Sequence, residues 1–135
     1  MNPADELRNA ADKLRALATA ASVDNDGTPT ANWHTEPCGP DDAGYHHLYG
    51  DHLTRDDDRT ESWPRLNRGG SLQRPSYMHG QHAEYAAAMG PTVGLTLADW
   101  LDFEADLITR VPGAELRDRT ERALAVARAI NGGQS

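Results

Sequence analysis

The chain has 135 residues, a formal net charge of -8 at pH 7 and one cysteine. This length suits one hydrophobic core, so we predict a single domain spanning 1–135. No stretch resembles a membrane span or a signal peptide, and the lone Cys38 cannot form an internal disulfide, so we predict a soluble, cytoplasmic protein.

The first predicted element is an amphipathic helix over about 3–22. Asn2 and Pro3 suit the N-cap and the first helical position, and the breaker-rich DNDGTP segment follows the helix. Leucines and alanines recur between them at helical spacing, at Leu7, Ala11, Leu14, Leu17, Ala18 and Ala21. This stripe predicts that one face of the helix packs against a partner.

The middle of the chain has an unusual composition for a sheet. Between Asp24 and Thr92 there is neither Val nor Ile, the residues that most favour strands. We therefore predict a small, irregular antiparallel sheet or hairpin region over about 30–78. The segments TANWHTE and GYHHLYG are its best strand candidates.

The last third of the chain is predicted to be helical again. A short helix is expected over 82–89, and two longer amphipathic helices over 92–111 and 114–131. The predicted fold class is therefore α+β, with three main helices packed together. The leucines and isoleucines expected in their common core are Leu7, Leu14, Leu17, Leu97, Leu101, Ile108, Leu124 and Ile130. Trp100 lies on the same stripe, where core packing is the default interpretation and a homodimer seam the alternative.

The charges are segregated along the chain. Residues 24–58 contain nine acids and one arginine, whereas 59–82 contain four arginines and one acid. Arginines interleaved with aromatic side chains are typical of sites that hold phosphates and stack rings. We therefore predict a ligand site formed by Trp63, Arg65, Arg68, Arg74 and Tyr77. Two alternatives stay open: the arginines neutralise the neighbouring acids, or the acidic segment mimics DNA as an inhibitor.

The six histidines raise the question of a metal site. The residues that could form one are His46, His52, His79 and His82. However, neighbouring histidines on a strand point to opposite faces, and the chain lacks HExxH and CxxC motifs. We predict no metal, no cofactor and no catalytic residues, hence a protein that is not an enzyme. The alternative is a metal-dependent hydrolase that uses these histidines.

Three stretches carry a resemblance to a known group of proteins. They are DELRNAADKLRALATAA (Asp5–Ala21), AEYAAAMGPTVGLTLADWLD (Ala83–Asp102) and RALAVARAING (Arg122–Gly132). The chain resembles small, poorly characterised accessory proteins of actinobacteria, their phages and their mobile elements, and more remotely the Ead-type early proteins of lambdoid phages. TPTANW (Thr28–Trp33) stands where such proteins carry a Thr-Pro-Gly-Pro-Trp turn, and it lacks the second Gly-Pro.

The resemblance implies a function but no catalytic residues. It implies a non-enzymatic phage or mobile-element accessory protein of α+β build, with counter-defence as one role, located in the host cytoplasm if phage-encoded. The expected partner is a host protein or, at the arginine-bearing segment, a small phosphorylated ligand, and the Leu/Ala faces of the helices favour a homodimer. An acidic surface repels nucleic acid at long range, so nucleic acid is not an expected partner, and neither is a membrane.

Overall fold

The structure is a computed structural model that describes residues 2–38, 44–55, 61–68, 78–111 and 116–132. Its elements are α1 (Pro3–Ala21), β1 (Trp33–Pro37), β2 (Tyr45–Gly50), β3 (Thr54–Arg55), β4 (Glu61–Ser62), β5 (Met78–His79), α2 (Gly80–Ala88), α3 (Pro91–Arg110) and α4 (Arg117–Ile130). Long helices and small antiparallel sheets together confirm the predicted α+β class. No helix in the described ranges is both long and apolar enough to cross a bilayer.

The chain divides into two compact units. The helical unit consists of Met1–Thr19 and Gly94–Ser135, and the sheet unit consists of Ala20–Val93. The single domain predicted from the sequence stays a prediction.

The N-terminal cap of α1 forms as the sequence predicts. The side-chain Oδ1 of Asn2 accepts a hydrogen bond from the backbone N–H of Asp5 at 2.8 Å. Pro3 follows as the first helical residue, where its missing N–H leaves no donor unpaired. Asp5 and Glu6 lie in the first turn, where a negative charge suits the positive end of the helix dipole.

The core of the helical unit consists mainly of alanine. Its buried residues are Ala4, Leu7, Ala10, Ala11, Ala98, Leu101, Ala105, Ala123, Leu124 and Ala127, with Leu14, Ile108, Val126 and Ile130 packed around them. Small side chains let helices approach closely. At Gly94 the approach is so close that an added Cβ would lie 3.1 Å from the Cβ of Ala18.

Three of the predicted core residues lie elsewhere. Leu17 is 59% exposed and Trp100 is 36% exposed, while Leu97 is half-buried and outside the core cluster. The prediction of core positions for these residues is wrong. The alanine-rich contact between the helices is narrow, so side chains at the edges of the predicted apolar stripes extend past it toward solvent.

Charged contacts also join the helices of this unit. Arg15 of α1 donates to the carboxylates of Asp102 at 2.7 Å and Asp99 at 3.2 Å on α3. Glu104 of α3 is almost fully buried, and the Nε of Arg119 on α4 lies 2.8 Å from each of its carboxylate oxygens. A buried carboxylate requires such a partner, because water no longer solvates its charge.

The sheet unit contains a three-stranded antiparallel sheet in the order β1–β2–β5. Trp33 pairs with Gly50, His34 with Tyr49, and Pro37 with His46, so both predicted strands are confirmed. The edge of β2 that faces away from β1 pairs with β5 near the start of β2 and with residues 64–66 near its end. There, the backbone N–H of Gly50 donates to the carbonyl of Pro64, and the N–H of Leu66 donates to the carbonyl of Leu48. A separate two-stranded sheet pairs β3 with β4.

Candidate ligand-binding face

The two faces of the three-stranded sheet have different environments. Helix α2 packs against β1 and β2 on the face that carries Leu48, which is buried, and His46. A Cβ added to Gly80, the first residue of α2, would lie 3.1 Å from His46 Nε2. Because side chains alternate along a strand, Tyr49 and His47 point to the opposite face.

That opposite face carries a cluster of aromatic rings. His34 and Tyr49 are direct partners in the register, and their rings stack with centroids 5.6 Å apart. The Trp63 ring meets His34 edge-on at 4.5 Å and Tyr49 at 6.2 Å. Trp63 is nonetheless 39% exposed, so part of its ring remains available to a ligand.

Positive charge lies next to these rings. Arg65 forms an isolated β-bridge with Tyr49, which places its side chain on the same face. Burial and, to a smaller extent, the charge of Arg65 lower the pKa of His47 below its ordinary value. We call the surface formed by His34, His47, Tyr49, Trp63 and Arg65 the aromatic face.

Two carboxylates border the aromatic face at His34. The Nδ1 of His34 donates to Oδ1 of Asp51 at 2.5 Å, and its Nε2 lies 3.6 Å from Oε1 of Glu36. Asp51 follows directly after β2, and its backbone N–H donates to the carbonyl of Asn32 at 2.8 Å. These contacts hold the His34 ring in one orientation beside Trp63.

An open cleft adjoins Asp51 on the surface of the sheet unit. It has a volume of about 260 Å³ and is lined by Pro29, Ala31, Asn32, Asp51 and His52. Asp51 therefore belongs both to this cleft and to the border of the aromatic face. Its carboxylate can accept hydrogen bonds from hydroxyl or amino groups of a ligand.

The structure distributes the five residues of the predicted ligand site. Trp63 and Arg65 lie together on the aromatic face. Arg68 instead forms an ion pair with Asp24, as the alternative of local neutralisation predicts. Arg74 and Tyr77 lie outside the described residues.

The histidines of the alternative metal site occupy different places. His46 lies on the α2 side of the sheet, with its Nδ1 3.3 Å from the hydroxyl of Thr35. The His79 ring stacks on the Tyr45 ring with centroids 4.6 Å apart, and the His82 ring lies 6.3 Å from the His79 ring. His52 lines the cleft beside Asp51. In the described part of the chain, no three His, Cys, Asp or Glu residues converge as a metal site would require.

The described acids of the 24–58 segment have local partners. Asp24 pairs with Arg68, and Asp51 pairs with His34. The carboxylate of Asp26 accepts the backbone N–H of Thr28 at 3.0 Å, and this hydrogen bond is the main cause of a lowered pKa at Asp26. Other acids of the segment, Asp41, Asp42, Asp56, Asp57 and Asp58, lie outside the described residues, so the DNA-mimic alternative stays a prediction.

Five contributors were absent from the predicted site: His34, Glu36, His47, Tyr49 and Asp51. The signal that could have identified them is the period-two alternation in WHTEP and YHHLYG, which places His34, His47 and Tyr49 on one face once the two strands pair. Comparison with protein-family models, with curated proteins and with solved structures finds no significant match to this chain.

Proposed function

We propose that this protein is a non-enzymatic binding protein that holds a small phosphorylated ligand with an aromatic ring, of the nucleotide class, at the aromatic face. The observation that carries this proposal is the position of Trp63, half-exposed and packed on His34 and Tyr49, with Arg65 on the same face. A ring can stack on Trp63 while a guanidinium group binds phosphate oxygens.

The remaining groups of the face fit the same ligand class. His47 lies two residues from Tyr49 on the same side of β2, where an imidazole N–H can donate to a phosphate. The carboxylates of Asp51 and Glu36 lie at the border of the aromatic face beside His34, where they can accept hydrogen bonds from sugar hydroxyls or ring amino groups. The face thus offers donors, a stacking platform and acceptors in sequence.

The wider biological role is part of the proposal. An accessory role in a phage or mobile element, in the cytoplasm of the host, is supported by the resemblance of the helical segments alone. A host protein as partner has the same support. A homodimer is included as well, and the exposed side of α3 supports it.

The test is a calorimetric titration with nucleoside mono-, di- and triphosphates, using the bare nucleoside and inorganic phosphate as partial ligands. Trp63→Ala and Arg65→Ala should each abolish binding. Arg68→Ala is the matched control, because it removes an arginine of the same segment that pairs with Asp24. Tyr85→Ala, an exposed aromatic on α2, is the control for Trp63.

A second measurement follows the protonation of His47 by NMR. Burial is the main cause of the lowered pKa of His47 and the positive charge of Arg65 adds to it, so Arg65→Gln should raise this pKa, and a bound phosphate should raise it in the wild type. Absence of heat with every nucleotide, together with a His47 pKa that no nucleotide changes, would reject the ligand class.

A further inference from the structure

The outward side of α3 in the helical unit carries an apolar stripe. Trp100 is 36% exposed, Phe103 is 54% exposed and Val111 is 43% exposed, with the half-buried Leu107 between them. Their spacing of three and four residues places Trp100, Phe103 and Leu107 on one side of the helix. Val111 follows the last helical residue and continues this side, because its backbone N–H still donates to the carbonyl of Leu107 at 2.8 Å. Single exposed apolar residues are common on protein surfaces, whereas a continuous stripe over three turns is typical of an interaction surface.

The opposite side of the same helix already has its partners. Ala98, Leu101 and Ala105 lie in the alanine-rich core. The Arg119 guanidinium lies 5.7 Å from the centroid of the Phe103 ring and flanks the stripe on the α4 side. Helix α3 is therefore apolar on two sides, and the packing among the described residues of the helical unit covers only one of them.

Charges of opposite sign lie at the two ends of one edge of the stripe. Asp99 lies on this edge near Trp100, and Arg110 lies on the same edge one residue before Val111; both are exposed. Each has a neighbour within its own chain, Arg15 for Asp99 at 3.2 Å and Asp106 for Arg110 at 3.9 Å. An edge with a negative charge at one end and a positive charge at the other is complementary to the same edge of a second copy that runs in the opposite direction.

We propose that a second copy of this chain docks on the stripe, with the two α3 helices antiparallel about a two-fold axis beside Phe103. In this arrangement Phe103 faces its counterpart, and Trp100 faces the partner copy's Leu107. Asp99 then lies opposite the Arg110 of the other copy, twice per dimer. A parallel pairing about a two-fold axis would place this edge of the two copies on opposite sides of the seam, so that Asp99 and Arg110 would not meet. The inference rests on the homodimer of the proposed function and locates its seam.

The first test is the solution mass by light scattering at a fixed protein concentration. The wild type should have twice the 14.7 kDa of one chain. Phe103→Glu should have the mass of one chain with an unchanged helical circular-dichroism spectrum. Tyr85→Glu is the matched control, because it places the same charge at an exposed aromatic of the sheet unit. That control should remain dimeric.

The second test concerns the direction of pairing. Asp99→Arg and Arg110→Asp should each weaken the dimer by roughly tenfold, the scale of losing or reversing two surface ion pairs. The double variant should restore wild-type affinity. In a Cys38→Ser background, Phe103→Cys should form a disulfide-linked dimer on mild oxidation, and Tyr85→Cys should not.

The outcomes separate this seam from the homodimer itself. A wild type that stays monomeric at all concentrations rejects both. A dimer that survives Phe103→Glu and gives no Phe103→Cys cross-link rejects the seam but keeps the homodimer. Single charge variants that weaken the dimer, without rescue in the double variant, reject the antiparallel arrangement.

Discussion

Truncation of Leu101 to alanine tests the architecture of the helical unit. Leu101 is fully buried, and seven of the ten buried residues in its cluster are alanines. An alanine has no side-chain rotamer that could rotate into the space left by the leucine. The void can shrink only if whole helices move. Buried leucine truncations cost about 2.7–5.0 kcal/mol depending on how far the site collapses, and this site should fall in the upper half, at about 4 kcal/mol.

The assay is urea denaturation followed by helical circular dichroism, with all variants at one protein concentration because the proposed dimerisation would also contribute to stability. Leu17→Ala is the matched control: it deletes the same atoms from a leucine that is mostly exposed, and should cost at most about 0.5 kcal/mol. Leu101→Met keeps the volume and should cost less than ~1.5 kcal/mol, so it guards against a Leu101→Ala variant that fails to fold.

If Leu101→Ala and Leu17→Ala shift the urea midpoint equally, the burial of Leu101 does not determine its contribution. The alanine-rich contact between the helices would then not be the core of this unit. A large loss of unfolding free energy in Leu17→Ala would lead to the same conclusion, because an exposed leucine should contribute little.

Two further predictions concern ion pairs in the helical unit. Arg119→Gln should lower the melting temperature more than Arg110→Gln, because it leaves the buried carboxylate of Glu104 without its guanidinium partner; equal shifts in calorimetry would contradict this. The hydrogen bond from Arg128 lowers the pKa of Glu6 in the folded protein. This hydrogen bond therefore stabilises the fold fully when the pH is above the ordinary pKa of 4.5, and its contribution is lost as the pH falls through the lowered pKa of the folded state. The stability difference between wild type and Arg128→Gln should therefore shrink in acid, and a difference that stays constant from pH 7 to pH 2.5 would refute the linkage.

Local signals in the sequence were sufficient for the helices. Asn2 caps α1 by a hydrogen bond to a residue only three positions along the chain, and helical periodicity marks α3 and α4 over several turns. The same signals could not rank the apolar residues by burial. Leu17 and Leu101 have the same chemistry and both lie on predicted stripes, yet one is exposed and the other is buried. The width of the contact between helices decides this, and that width depends on alanines and Gly94 from several segments.

The candidate site could be predicted only in part. The sequence predicted two strands in the segments TANWHTE and GYHHLYG, and the basic segment indicated Trp63 and Arg65. What the sequence did not specify is the register. A shift of one residue between β1 and β2 would move His34 to the other face and away from Tyr49 and Asp51.

By itself, then, the sequence determined the elements whose forces act within a few residues along the chain: the caps, the helical stripes and the alternation of the strands. Only the tertiary structure decided which of those side chains meet. It brought His34, Trp63 and Asp51 together, directed Arg68 to Asp24, and left Trp100 and Phe103 facing solvent. The physical reason is that each of these outcomes depends on strand register or helix separation, which result from contacts between residues far apart in the chain.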